Sequence, residues 1–199
     1  MTFLTIGSGS SVKNYPLKDL EELAKNSLTI AVNDSSFNFS CDLVCAGDYE
    51  WIINNYEKLR VLGKPVITRE WDILVQYPLD YILLPNNVCN IARLSGMIAA
   101  KIQDSIANRA NRISFVIGLD HTKGHYYDSK SDCRKVVTDK DYTNLKLKNT
   151  INLGGKVSKI TAWPKQQFLP KSKPRNMNDK DFLIDTIRAF HNELIRDNI

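Results

Sequence analysis

Phe3-Leu4-Thr5-Ile6-Gly7-Ser8-Gly9-Ser10-Ser11 is the stretch on which the fold turns. Phe3 to Ile6 is a short apolar run that reads as a first buried strand, not as a signal peptide. A glycine-serine loop cuts it off. Pro16 then precedes Leu17 to Ala24, where Leu17, Leu20, Leu23 and Ala24 recur at helical spacing. Strand, glycine loop and helix follow one another within the first 24 residues, and the same alternation continues outward from there. Strands are predicted at 28–32, 43–46, 64–68, 81–84 and 112–117. Helices are predicted from Tyr49 and over 91–107, the latter with the stripe Ile91, Leu94, Ile98, Ile102 and Ile106. Short apolar strands alternating with helices predict a three-layer α/β fold, with a mainly parallel sheet and helices on both faces.

The second half of the chain is less regular. Residues 122–150 are polar and charged and read as an insertion. A last strand is expected within 156–162. A Pro/Lys/Asn linker covers 170–180, and Phe182, Ile184, Ile187, Phe190 and Leu194 form a helical stripe over 181–195. The predicted division is a main domain over 1–165 and a linker with a C-terminal helix over 166–199.

Composition sets further bounds. The chain has 199 residues, 43% hydrophobic and 25% charged, which excludes a wholly disordered chain. No apolar run approaches the roughly 18 residues of a membrane span. The four cysteines, Cys41, Cys45, Cys89 and Cys133, form no CxxC pair. They are therefore expected to be reduced thiols of a cytoplasmic protein, with no metal site. Residues 1–99 carry 8 Lys/Arg against 11 Asp/Glu, whereas 100–199 carry 19 against 11. The basic second half suits an anionic partner such as nucleotide phosphate, nucleic acid or acidic glycan, and equally a solvated lysine-rich surface.

In a parallel α/β sheet, ligands bind beyond the carboxyl ends of the strands. The residues to examine are thus Gly7 to Ser11, Asn33-Asp34, Gly47-Asp48, Thr68-Arg69 and Asp120-His121. Glycines in the first loop allow close backbone approach to a phosphate, and the N–H groups that follow favour an anion. A tight strand-to-helix turn requires glycine as well. The loop lacks the third glycine of the dinucleotide fingerprint and the Gly-Lys-Ser/Thr of a P-loop.

Five blocks in order carry a resemblance: Gly7-Ser-Gly-Ser-Ser-Val-Lys-Asn-Tyr-Pro-Leu-Lys-Asp-Leu20, Ile30-Ala-Val-Asn-Asp34, Asp42-Leu-Val-Cys-Ala-Gly-Asp48 with Trp51, Leu94-Ser-Gly-Met97 and Phe115-Val-Ile-Gly-Leu-Asp120. Over about residues 3–122 the chain resembles a Rossmann-like group. That group comprises Campylobacter-type sialyltransferases, related phage proteins and the archaeal 6-hydroxymethylpterin pyrophosphokinase-like proteins. Ser10 departs from the group's usual proline, and the charged stretch after Asp120 is atypical.

The sialyltransferase branch implies a nucleotide-sugar-dependent glycosyltransferase without metal or other cofactor. Gly7, Ser8, Gly9 and Ser10 would contact donor phosphate or ribose. Asn33 would hydrogen-bond nucleoside or sugar, Asp48 a sugar hydroxyl, and Ser95 and Gly96 would bind the donor from the central helix. His125, or else His121, would be the general base, a role suited to a neutral imidazole, with Asp120 beside them. The acceptor would be a glycan or a modified DNA base, and a phage protein would work in the host cytoplasm. The pyrophosphokinase branch implies instead magnesium and diphosphate transfer from ATP, with Asp48, Asp120 and Asp34 near the phosphates. A third expectation is a non-catalytic nucleotide-binding or host-interacting protein. Asp48 also reads as the N-cap of the helix after it.

Overall fold

The computed structural model describes residues 2–69, 72–84, 95–119, 147–154 and 168–171. Within them one seven-stranded sheet is built from β1 (Thr2–Ile6), β2 (Ser27–Val32), β3 (Leu43–Cys45), β4 (Val66–Thr68), β5 (Tyr81–Leu83), β6 (Ser114–Ile117) and β7 (Thr150–Asn152). The order across the sheet is β5-β4-β3-β2-β1-β6-β7, and every pairing is parallel. The chain steps from β1 to β5 in one direction, then returns to lay β6 on the other side of β1. The order reverses at β1, so the crevice outside the carboxyl ends of β1 and β6 is the topological switch point of the sheet.

Side chains alternate across a strand, and here both faces are covered. Phe3, Ile30, Cys45, Ile67 and Val116 pack with Met97, Ile98, Ile102 and Ile106 of the long helix α6 (Ser95–Arg109). Residues one step along point the other way. Leu4, Ile6 and Ile117 meet Leu20 and Leu23 of α1 (Leu17–Lys25). Ala31, Val44, Ala46 and Val66 meet Ile52 of α3 (Tyr49–Asn54), Leu59 of α4 (Tyr56–Leu62) and Ile73 of α5 (Ile73–Gln76). A one-turn helix, α2 (Ser35–Asn38), follows β2, and a 3-10 turn covers Ser10–Asn14. The result is the expected three-layer, Rossmann-like α/β fold. Among the described residues no helix is long and apolar enough to cross a membrane.

Several element boundaries differ from their sequence patterns. β4 begins at Val66, not Lys64, and β6 at Ser114, not Arg112. The helix predicted over 91–107 is described from Ser95 and extends to Arg109. At the end of the stretch read as an insertion, residues 147–154 are built into the domain. Thr150–Asn152 pairs with β6, and Leu147 packs against the α6-side cluster. The reason is the buried carboxylate of Asp104 on α6. It accepts from the backbone N–H groups of Lys148 (3.1 Å) and Asn149 (2.7 Å) and from the Thr150 hydroxyl (2.7 Å). The strand expected within 156–162 and the helix over 181–195 lie outside the described residues.

Candidate functional site

The loop after β1 is locked against the end of β6. The Gly7 N–H donates to the Ile117 carbonyl and the Gly9 N–H to the Gly118 carbonyl, both at 2.8 Å. Gly118 has φ +72°, and a Cβ there would stand 2.3 Å from the Gly7 oxygen. A Cβ on Gly7 would stand 2.4 Å from the Gly118 oxygen. Two backbones touch here, which is why both positions are glycine. The Leu119 side chain enters the same seam: its Cδ2 lies 2.6 Å from a Cβ built on Gly7 and 2.7 Å from one built on Gly96. Gly7 and Gly96 therefore flank a buried leucine at the switch point. The N–H groups of Gly7 and Gly9, expected to face a phosphate, already serve carbonyls of the β6 side.

The serines of this loop make other ties. Ser8 is buried, and its Oγ lies 3.5 Å from the Val32 carbonyl, to which it donates, and 3.2 Å from the Ser35 Oγ. Ser11 accepts from the Gly118 N–H at 3.1 Å. Ser10 is half-buried at the start of the 3-10 turn.

Asn33 follows β2 with φ +49°, a left-handed conformation that asparagine tolerates better than most side chains. Its N–H donates to the Cys45 carbonyl at 3.2 Å. Its carbonyl accepts from the Ser36 N–H (3.0 Å) and the Ser36 hydroxyl (2.7 Å). Its side-chain Oδ1 is buried and, among the described residues, accepts no hydrogen bond, an uncommon state for a buried acceptor.

Beyond β3, one peptide organises the next part of the rim. The Gly47 N–H donates to the Ser95 Oγ at 2.8 Å, and the Gly47 carbonyl accepts from Arg69 Nε at 3.0 Å. The Cys45 thiol donates to the Ser95 carbonyl at 3.3 Å. Ser95 and Gly96 stand in the first turn of α6 as described. Asp48 is exposed, and its carboxylate caps α3 by accepting from the Glu50 N–H at 3.1 Å.

These bonds form a continuous polar arc over the carboxyl ends of β1 to β4. It runs from Ser8 through Val32 and Asn33 to Cys45, Ser95, Gly47 and Arg69. The structure thus joins Ser8, Asn33 and Ser95 of the sequence candidates into one rim. It sets Gly7 and Gly96 together around Leu119, and leaves Asp48 at the solvent-facing start of α3. Asp120, His121 and His125 lie outside the described residues. Among the described residues no three His, Cys, Asp or Glu side chains come together as a metal-holding group.

Sequence reading gave no role to Gly118, Leu119, Ser35 or Cys45, and noted Arg69 only as a residue after a strand. The signal for Arg69 was its place directly after β4. For Gly118 it was a glycine directly ending the strand expected at 112–117. Hydroxyls, an amide and a guanidinium on one rim suit a polar, anionic ligand better than an apolar one. Comparison of the chain with protein-family models, with curated proteins and with solved structures gives no match.

Proposed function

We propose that the protein is a nucleotide-sugar-dependent glycosyltransferase of the sialyltransferase-like type, acting on a glycan or a modified DNA base. The observation that carries this reading is the arc joining Ser8, Asn33 and Ser95 on the ligand-binding side of a parallel sheet. Each of the three stands in one of the sequence blocks that resemble the sialyltransferase group. The orphaned Asn33 Oδ1 supports it further, because a nucleoside or sugar offers the N–H or O–H donors such an acceptor lacks.

In this reading the donor lies along the arc. The bond between the anomeric carbon and the phosphate oxygen breaks, and its electron pair leaves with the nucleotide. The acceptor hydroxyl oxygen forms the new bond to the anomeric carbon. Its proton passes to His125, or to His121, as general base. The reading requires neither metal nor cofactor.

A thermal-shift screen of the full chain with CMP, UDP, GDP, ADP and ATP, each with and without magnesium, tests the proposal. A ligand that binds only the folded state raises the melting point by mass action. A metal-independent shift with CMP or UDP is expected. A shift with ATP and magnesium alone would replace the reading with diphosphate transfer. No shift with any nucleotide would leave a non-catalytic interaction protein.

A further inference from the structure

We propose that the outer face of α4 is a self-association surface, on which a second copy of the chain packs across a two-fold axis with its own α4 antiparallel.

α4 buries Leu59 against the sheet. A helical turn takes 3.6 residues, so positions two before and two after a buried residue point away from the core. Glu57 and Val61 therefore share the outward face, one turn apart. Val61 is 85% exposed, and Val75 on α5 is 90% exposed. Among the described residues these are the two most exposed large hydrophobic side chains. The two helices are neighbours: Tyr56 of α4 meets Tyr77, directly after α5, edge to face at 5.3 Å.

A lone exposed valine needs no explanation, but Val61 stands at the lip of a groove. The groove has a volume of about 550 Å³ and is lined by Phe37, Glu57, Lys58, Val61 and Leu62. Its aromatic wall is held in place. Phe37 stacks on Trp51 of α3, with ring centres 5.7 Å apart and planes at 21°. Lys58 Nζ stands over the Phe37 ring, 5.4 Å from its centre.

Two features select a second copy as the occupant. Knob and groove lie on one face, and a two-fold contact requires a patch that fits itself. Across the axis each Val61 enters the apolar groove of the other copy. The charges are self-complementary as well. Glu57 lies in the first turn of α4 and Arg60 in its last. With the helices antiparallel, the Glu57 end of each copy faces the Arg60 end of the other, and opposite charges meet twice. Glu57 and Arg60 pair within the helix at 3.0 Å, but both are exposed, so little holds them to that pairing alone. A partner of one charge sign would meet both signs here, Glu57 beside Lys58 and Arg60, and one would offset the other.

A contact centred on one short helix is smaller than a standard interface, so the dimer is expected to dissociate on the order of 100 μM. Sedimentation velocity of the full chain, over roughly 1 μM to 1 mM, brackets that value and tests the proposal. Wild type is expected to pass from monomer to dimer across the range. Val61→Glu should raise the dissociation constant at least about tenfold, the effect of a carboxylate placed in an apolar contact. Glu57→Lys and Arg60→Glu should each weaken association, and the double reversal should restore it. Melting curves of the variants show that they are folded, as substitutions at exposed positions should leave them. Wild type that stays monomeric throughout overturns the proposal and leaves the groove to solvent or to a different protein. A wild-type dimer that Val61→Glu leaves intact overturns it too, since association would then use another face. A double reversal that associates no better than the single ones overturns the antiparallel arrangement.

Discussion

At the scale of single residues, the glycines of the rim separate into two kinds. Gly7 and Gly118 are required by contact. Added Cβ atoms would come within 2.4 Å and 2.3 Å of opposing backbone oxygens, and backbone cannot swing aside as a side chain can. Gly118 also has φ +72°, which costs a residue with a Cβ about 1–2 kcal/mol before any clash. With overpacking of about 1–3 kcal/mol added, Gly118→Ala is expected to lose about 2–5 kcal/mol of stability. Gly47 is the other kind. A Cβ there meets nothing nearer than 3.5 Å, so Gly47→Ala is expected to fold with nearly wild-type stability. Urea denaturation of both variants checks the contrast. A midpoint for Gly118→Ala equal to that of wild type would mean that β1 and β6 do not meet as described.

At the scale of elements, α1 is tied to the turn before β3 by one carboxylate. Glu21 accepts from the Ser40 N–H (2.8 Å) and hydroxyl (2.7 Å) and pairs with Lys25 at 3.4 Å. Burial pushes its pKa up, but the Ser40 hydrogen bonds and the Lys25 charge outweigh that and hold it below the ordinary glutamate value. A carboxyl depressed in the folded state stabilises above its unfolded pKa, and that contribution is lost as pH falls through the folded value. The stability gap between wild type and Glu21→Gln is therefore expected to be constant near neutrality and to close below about pH 4. Urea midpoints of the two proteins between neutral and acidic pH measure it. A gap that widens on acidification would reverse the sign and remove the argument.

Elements of this kind differ in how far local sequence announces them. β2 is buried at all six residues, and Leu28, Ile30, Ala31 and Val32, broken only by Thr29, identify it locally. The helices α2, α4 and α5 span four to seven residues, too short for a stripe of period 3.6 to be recognised. β7 is three residues, two of them polar, and is held by Asp104 from more than 40 positions away. No local pattern carries that information.

At the scale of the whole molecule, the same distinction governs the site. The rule that ligands meet the carboxyl ends of parallel strands directs attention to the rim, because parallel strand direction follows from alternation of elements, whereas strand order does not. Which residues face one another on it depends on packing between distant segments. Arg69 meets Gly47 and Leu119 fills the seam between Gly7 and Gly96 only once the sheet and α6 are assembled. The two described thiols report on that assembly. Cys41 is buried, and its pKa is pushed up to about 12, chiefly by that burial; Lys64 pulls it down, while Asp42 and Glu21 push it further up. Cys45 is fully buried beneath the arc, with its thiol on the Ser95 carbonyl. Alkylation requires an accessible thiolate, so in the native protein at pH 8 both must await local opening of the fold. Iodoacetamide treatment of the native chain, followed by digestion and mass spectrometry, is expected to leave the Cys41 and Cys45 peptides unmodified over a time that fully labels the urea-unfolded chain. Added urea below the unfolding midpoint should accelerate labelling of Cys45, since Leu43, Val44 and Cys45 belong to one central strand, paired on each side, that opens as a unit. Labelling of Cys45 at the free-thiol rate in native buffer would show that the carboxyl edge of β3 is open to solvent, and the arc built on it would not exist as a preformed surface.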